Sequence, residues 1–242
     1  MDGLAAARRQ VEELASVRDS EESRIAPDGR KELLVSGAVA AVAWVASALA
    51  SGVLGTILLV VAVVATVVAL FLLNFFRDPA RTPPGDARQV VSPADGRILI
   101  AEPAVEENRF LRRTAAKISI FMSPIDVHVN RAPVDGEVIG VHYNPGKYLA
   151  AFSEKASLDN EQNAVVLRAN DGREIAFIQI AGLVARRIVC RIARGDRVAR
   201  GQRVGMIKLG SRVDIFVPGE FKLRVAPGDR VTAGETVLGE LG

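Results

Sequence analysis

Residues 33–76 carry no formally charged side chain, and this uncharged run of 44 residues constrains the fold more than any other feature of the chain. As one helix it would be about 66 Å long, roughly twice the thickness of the hydrocarbon core of a bilayer. The run therefore predicts two membrane-crossing helices, near 33–50 and 53–73, separated by a break around Ser51 and Gly52. One tilted span followed by an apolar core helix is the alternative. A cleaved signal peptide fits poorly, because the run is too long and starts too late.

Basic residues flank the uncharged run on both sides. Arg30 and Lys31 precede it, and Arg77 and Arg81 follow it. Two crossings return the chain to the side from which it started, and the positive-inside rule makes that side cytoplasmic. The sequence therefore predicts a protein of the cell (inner) membrane whose main domain lies on the cytoplasmic side.

The chain thus divides into a charged N-terminal segment (1–32), a transmembrane helical hairpin (33–76) and a larger C-terminal domain (77–242). The C-terminal domain holds 25 basic and 20 acidic side chains, a balance that suits an anionic membrane surface or a phosphate-bearing ligand. Nucleic acid is not an expected partner, because only 5% of the residues are aromatic and no stacking motif is present. A single cysteine and two histidines argue against a disulfide framework or a metal site.

The C-terminal domain has the pattern of a β protein. From Val90 onward, short runs rich in Val and Ile alternate with Gly, Pro and Asp. Asp-Gly pairs, which favour tight turns, occur at 95–96, 135–136 and 171–172. This pattern predicts a mainly β fold, a sandwich or a barrel.

Part of this domain is repeated. Residues 191–204 match residues 224–237, and each copy has a Val/Ile strand, a Gly-Asp turn and a second glycine. The repeat resembles the paired hairpins of biotinyl/lipoyl-type β-sandwiches. It also leaves open a non-catalytic, membrane-anchored carrier or adaptor module, in which Lys208 would be a weak candidate for the carrier lysine.

Four short motifs contain the residues that could carry chemistry: 74–79, 91–96, 121–133 and 208–214. Taken separately, each has an ordinary structural explanation. Asp95 lies in an Asp-Gly turn, where Asp commonly bonds to nearby backbone. His128 is the kind of side chain best suited to proton transfer near neutral pH, although a lone histidine is more often structural.

The four motifs occur in this order together with two further motifs, 145–147 and 160–163. With this set of motifs, the sequence resembles the phosphatidylserine decarboxylase family in its short membrane-associated form. That form includes archaetidylserine decarboxylase-like proteins. The resemblance covers about residues 70–242. It implies an enzyme that converts phosphatidylserine, a phospholipid of the membrane, to phosphatidylethanolamine and CO₂ through a Schiff base. Its cofactor would be a covalent pyruvoyl group, and no metal would be needed.

The resemblance also implies how the cofactor forms. The chain would cleave itself between Gly210 and Ser211, leaving a β chain of residues 1–210 and an α chain of residues 211–242 that starts with the pyruvoyl group. Ser211 would attack the carbonyl of Gly210, with His128 as the base and later as the acid that reprotonates the product. Asp95 would orient His128 and stabilise its charge, as the acid of a hydrolase triad does.

Two positions depart from the pattern of the longer bacterial members. Arg131 stands where they carry a second histidine, so either His128 serves both cleavage and reprotonation or another group supplies one of the two proton transfers. Arg212 stands where they carry threonine after the serine. Arg212 either binds the phosphate or carboxylate of the substrate or is a plain surface arginine. Arg131 and Lys147 are the other candidate substrate-binding residues, and His142 is interpreted as structural.

The sequence leaves three further questions open. A serine hydrolase built on the same triad is disfavoured, because the Gly-x-Ser-x-Gly elbow is absent and the predicted class is β. The lipid backbone, diacyl or archaeal ether, is not specified. A homodimer is also left open.

Overall fold

The computed structural model describes residues 24–146, 160–182, 187–208 and 211–242. The chain divides into two compact units, Met1–Ala80 and Arg81–Gly242. Most of the predicted N-terminal segment lies outside the described residues.

Two apolar helices dominate the first unit. Helix α1 spans Arg30–Leu49 and helix α2 spans Gly52–Phe75, and a short 3-10 turn at Pro27–Gly29 precedes α1. Both helices are long and apolar enough to cross a membrane. Gly52 has φ +63°, a left-handed conformation that favours glycine, so the chain turns at the predicted break. Helix α1 begins at Arg30 rather than at 33, because helical backbone hydrogen bonding continues through polar residues.

The two helices form a hairpin that packs through small side chains. Ala40 and Ala43 of α1 and Ala62 of α2 are buried, which lets the two backbones approach closely. The indole Nε1 of Trp44 donates a hydrogen bond to Thr66 Oγ1 at 3.0 Å and links the helices. The predicted two-helix hairpin is therefore confirmed.

The motif at 74–79 closes the base of this hairpin. Its backbone pairs with the segment before α1: the Ala26 N–H donates to the Phe76 carbonyl at 2.8 Å, and the Asp78 N–H donates to the Arg24 carbonyl at 2.7 Å. A Cβ atom at Gly29 would lie 2.1 Å from Phe76 Cγ, so the aromatic ring needs glycine there. The motif thus has a structural role within the first unit.

Within its described residues, the second unit contains fourteen strands. Their bounds are β1 Gln89–Val91, β2 Gly96–Glu107, β3 Arg113–Met122, β4 Val129–Arg131, β5 Gly136–Asn144, β6 Gln162–Ala169, β7 Glu174–Ala181, β8 Arg187–Cys190, β9 Arg197–Val198, β10 Arg203–Lys208, β11 Ser211–Pro218, β12 Phe221–Leu223, β13 Arg230–Val231 and β14 Val237–Leu241. All paired strands are antiparallel.

These strands form one large curled sheet and two small sheets. The large sheet has eight strands in the order β13-β2-β3-β11-β7-β6-β5-β9, and the small sheets have the orders β1-β14-β12 and β4-β10-β8. The main hydrophobic core combines side chains of all three sheets, among them Val213, Val204 and Leu238. A second apolar cluster that includes Phe216 and Leu111 covers the other face of the large sheet. The predicted mainly β class is confirmed.

The repeat found in the sequence appears as two copies of one loop-and-hairpin arrangement. In one copy, the backbone N–H of Ala233 donates to Asp95 Oδ1 at 2.7 Å. In the other, the backbone N–H of Arg200 donates to Asp135 Oδ1 at 2.9 Å. Positions 200 and 233 correspond in the two repeats, so Asp95 and Asp135 occupy equivalent places. The predicted hairpin repeats are therefore confirmed.

Candidate active site

Ser211 is the first residue of β11, the strand that lies between β3 and β7 in the large sheet. It pairs with Met122 on one side and Ala181 on the other. The side chain is fully buried, and its hydroxyl donates to the sulfur of Met122 at 3.3 Å. A thioether is a weak acceptor, so the sulfur holds this hydroxyl only loosely. Gly210 lies outside the described residues.

His128 directly precedes β4 and is fully buried. Its Nδ1 lies 2.9 Å from the backbone carbonyl of Asp126. A carbonyl can only accept, so Nδ1 carries the proton, and Nε2 of the neutral ring is the nitrogen with the lone pair. The Asp126 carboxylate accepts from the Ser123 N–H at 2.8 Å and from Arg230 at 3.3 Å, which fixes the loop that holds the ring.

Asp95 is half-buried in the loop before β2, and both of its carboxylate oxygens accept hydrogen bonds. Oδ1 accepts from the Ala233 N–H, and Oδ2 accepts from Arg81 Nη2 at 3.0 Å. Arg81 also pairs with Glu235 at 3.1 Å. The equivalent Asp135 has its backbone donor but no ion pair among the described residues. Arg81 thus distinguishes the Asp95 loop from its repeat.

Backbone contacts join the elements that carry the predicted residues. The Arg131 N–H donates to the Pro93 carbonyl at 2.9 Å, which ties the Asp95 loop to β4. The Ile207 N–H donates to the His128 carbonyl at 3.3 Å, which ties the start of β4 to β10. Strand β10 ends at Lys208, shortly before Ser211. The Asp95 loop and the end of β10 are therefore both tied to the segment 128–131.

The three candidate substrate-binding residues have different surroundings. Arg131 is buried, and its Nη1 donates to the Gly201 carbonyl at 2.9 Å. Arg212 is 1% exposed and ion-paired with Asp214, so the interpretation of Arg212 as a surface arginine is wrong. Lys147 lies outside the described residues.

The structure reveals a line of buried amides that the sequence analysis missed. Asn163 Nδ2 donates to Gln179 Oε1 at 3.0 Å, and Gln179 Nε2 donates to Asn130 Oδ1 at 2.9 Å. Asn130 Nδ2 in turn donates to the sulfur of Met122 at 3.7 Å, the same sulfur that accepts from Ser211. The sequence signal for these amides was Gln179, a polar residue between two isoleucines of β7.

Comparison with known proteins decides the family. The family model described as phosphatidylserine decarboxylase matches residues 68–239. Phosphatidylserine decarboxylase proenzymes are 52% identical over 177 residues in Ralstonia nicotianae, 49% over 172 in Aromatoleum aromaticum and 49% over 174 in Nitrosomonas eutropha. These alignments cover 71–72% of this chain and 79–80% of the relatives.

The chain belongs to the phosphatidylserine decarboxylase family. The resemblance drawn from the motifs is thereby confirmed, as is the prediction of an enzyme. The carrier or adaptor alternative has no support, and Lys208 lies in strand β10 opposite Arg187.

In this member of the phosphatidylserine decarboxylase family, the motif at 160–163 borders the strand next to Ser211. Asn160 Nδ2 donates to the Ala181 carbonyl at 2.7 Å, and the Ala181 N–H donates to the Glu161 carbonyl at 2.9 Å. Ala181 is the cross-strand partner of Ser211. The motif therefore holds one wall of the Ser211 site, and its last residue, Asn163, begins the line of amides.

Proposed function

We propose that this chain decarboxylates phosphatidylserine to phosphatidylethanolamine and CO₂, after it has cut itself between Gly210 and Ser211. The observation that carries the proposal is the position of Ser211: a fully buried hydroxyl at the start of the central strand, whose hydrogen-bond partner among the described residues is a thioether. The name proenzyme, given to the relatives, supports a precursor that is processed.

The cut is proposed as an acyl shift followed by an elimination. Ser211 Oγ attacks the carbonyl carbon of Gly210, an ester C–O bond forms, and the amide C–N bond breaks to free the amine of residue 211. Loss of the Cα proton then breaks the Cβ–O bond and releases the carboxylate of Gly210. Residue 211 is left as dehydroalanine, which takes up water and loses ammonia to give the pyruvoyl group.

His128 is the proposed base for the attack. Because the Asp126 carbonyl engages Nδ1–H, the lone pair of the neutral ring is at Nε2, which can accept the Ser211 proton. Asp95 is proposed to stabilise the protonated imidazole through its negative charge. The contact between the Asp95 loop and β4 supports this role, since β4 begins directly after His128.

The surroundings of position 211 suit a pyruvoyl group. That group has a methyl where serine has a hydroxymethyl, and the Met122 thioether can pack against either. Once formed, the group would supply a carbonyl that takes up the electrons released with CO₂. His128 is the proposed donor of the proton that replaces the carboxylate. Arg131, Lys147 and Arg212 remain candidates for binding the headgroup. The burial of Arg212 favours a role within the sheet.

Helices α1 and α2 are proposed to anchor the chain in the inner membrane, with the β domain on the cytoplasmic side. Arg30 and Lys31 at the start of α1 and Arg77 after the end of α2 support this orientation. A green fluorescent protein fused after residue 242 should fluoresce, and an alkaline phosphatase fused there should be inactive. The opposite pattern would refute the cytoplasmic location.

The intact mass of the purified protein tests the self-cleavage. The wild-type chain should give two species that correspond to residues 1–210 and 211–242, the smaller one without a free amine. Ser211→Ala should give one uncut, inactive chain. Ser119→Ala is the matched control, because Ser119 is also fully buried and its hydroxyl has no hydrogen-bond partner among the described residues. It should cut normally. An uncut wild-type chain that decarboxylates would refute the mechanism.

A further inference from the structure

The line of amides that ends beside Ser211 is buried throughout. Asn163 lies on β6, Gln179 on β7 and Asn130 on β4, and each side chain is at most 2% exposed. Strand β4 belongs to a small sheet, so Asn130 reaches across the core to the large sheet. Buried amides without partners are costly, whereas apolar residues of similar shape would need no partners at all. Three linked amides in this core therefore indicate a role beyond packing.

The hydrogen bonds give the line a direction. Each acceptor is an amide oxygen and each donor an amide nitrogen, from Asn163 through Gln179 to Asn130. Turning one amide over would bring two N–H groups or two oxygens together. The Gln179 N–H therefore holds Asn130 with its oxygen away from Met122 and its N–H toward the sulfur.

Asn130 and Ser211 meet at one weak acceptor, the sulfur of Met122. The distances to Sδ are 3.7 Å from Asn130 Nδ2 and 3.3 Å from Ser211 Oγ. As Ser211 gives up its proton, an oriented N–H dipole close by favours the negative charge that develops on Oγ.

We propose that Asn130 is a positioning residue for Ser211, kept in one amide orientation by Gln179 and Asn163. The inference rests on the proposed self-cleavage at Ser211. Asn130 acts through Met122: the two groups fix the hydroxyl of Ser211 and present one N–H donor beside it.

The decisive variant is Gln179→Glu, which keeps the size of the side chain but replaces the donor by a carboxylate. The Asn130 amide then turns its N–H to the carboxylate and its oxygen toward Met122. Full-length chains are made by cell-free synthesis in lipid nanodiscs, and the rate of conversion to the 1–210 piece is followed by gel mobility. We expect cleavage to slow about tenfold or more in Gln179→Glu. Met122→Leu, which removes the shared acceptor, should also slow it.

A double-variant comparison separates positioning from a merely structural role. If Gln179 acts through Asn130, Gln179→Glu should slow cleavage no further in an Asn130→Ala background. Independent, multiplying effects on the rate would overturn the proposal, as would a Gln179→Glu rate within twofold of wild type.

Two controls keep the result interpretable. Ser211→Ala is run in parallel, and a wild-type chain that is not cut at 210–211 would overturn the self-cleavage and this inference with it. If Gln179→Glu fails to fold by circular dichroism, Asn130→Ala and Met122→Leu decide. Wild-type cleavage rates in both of these variants would overturn the role of Asn130 and leave the proposed self-cleavage intact.

Discussion

Arg212 donates two hydrogen bonds to the carboxylate of Asp214, from Nε to Oδ1 at 2.6 Å and from Nη2 to Oδ2 at 2.8 Å, and both side chains are almost completely buried. Alternation along β11 directs this pair to the face opposite Ser211. Ser211 is therefore followed at once by an anchored side chain, which holds the start of the strand in the sheet.

Removing one member of this pair should destabilise the β domain strongly. Arg212→Ala removes the ion pair of a buried carboxylate and should cost about 3–5 kcal/mol. The double variant Arg212→Met/Asp214→Leu should recover much of the lost free energy of unfolding, because neither charge of this pair remains. Urea unfolding followed by circular dichroism measures both.

Arg224 supplies the control for this comparison, since its ion pair with Glu240 is partly exposed. Arg224→Ala should cost less than about 1 kcal/mol. Equal losses in Arg212→Ala and Arg224→Ala would contradict the assignment of Arg212 as a buried anchor.

Asp95 and Asp135 offer a matched test of function against structure. Both accept a backbone N–H at Oδ1, at 2.7 Å and 2.9 Å. Replacement by Asn preserves an oxygen acceptor in each loop but removes the charge. We expect Asp95→Asn to block or greatly slow self-cleavage and Asp135→Asn to leave it within about threefold of wild type, a difference set by charge rather than by the shared turn. Similar cleavage yields from the two variants, measured by intact mass, would assign Asp95 to the turn alone.

The two histidines should respond very differently to substitution. His128 is fully buried, with a defined tautomer, whereas His142 is exposed and lies against the Phe110 ring, with the ring centroids 5.6 Å apart. We expect His128→Gln to abolish cleavage, because the amide cannot accept the Ser211 proton. His142→Ala should cleave at the wild-type rate. Loss of cleavage in His142→Ala but not in His128→Gln would mean that His142, and not His128, is the base for the cleavage.

Gly96 should tolerate no side chain. A Cβ atom there would lie 2.1 Å from the backbone oxygen of Phe121, so strands β2 and β3 could not pair at the start of β2. Gly96→Ala should lower the thermal midpoint by about 5 °C or more. Gly85→Ala, where nothing lies within 4 Å, should leave it unchanged. A normal midpoint for Gly96→Ala would mean that the two strands can move apart without penalty.

The features that the sequence predicted well are local. The uncharged run predicted both helices, and Ser51 and Gly52 marked the turn, because chain length and glycine conformation are properties of short segments. The Gly-Asp turns predicted the repeated hairpins for the same reason. The placement of β11 between β3 and β7 depends on contacts distant in the sequence, which no local pattern specifies.

The candidate site was predictable only where a residue type suggested its own chemistry. His128, Asp95 and Ser211 were found because their motifs matched a family. Asn130 lies in the same motif as His128 but its residue type suggests no chemistry, and Gln179 lies in no motif. A buried amide becomes informative only when its partner on another strand is known. The ion pair of Arg81 with Asp95 was likewise hidden, since it joins residues 14 positions apart in two loops of the β domain.

Strand β11 determines what a cut before Ser211 would leave. Residues 211–242 supply the middle strand of the large sheet, the edge strand β13, and two of the three strands in the sheet β1-β14-β12. The two products would therefore share one hydrophobic core as an obligate complex, and separating them would mean unfolding the domain. The peptide bond at 210–211 would be needed while the chain folds and dispensable afterwards. Maturation would be irreversible, and subunit exchange between finished molecules would be negligible.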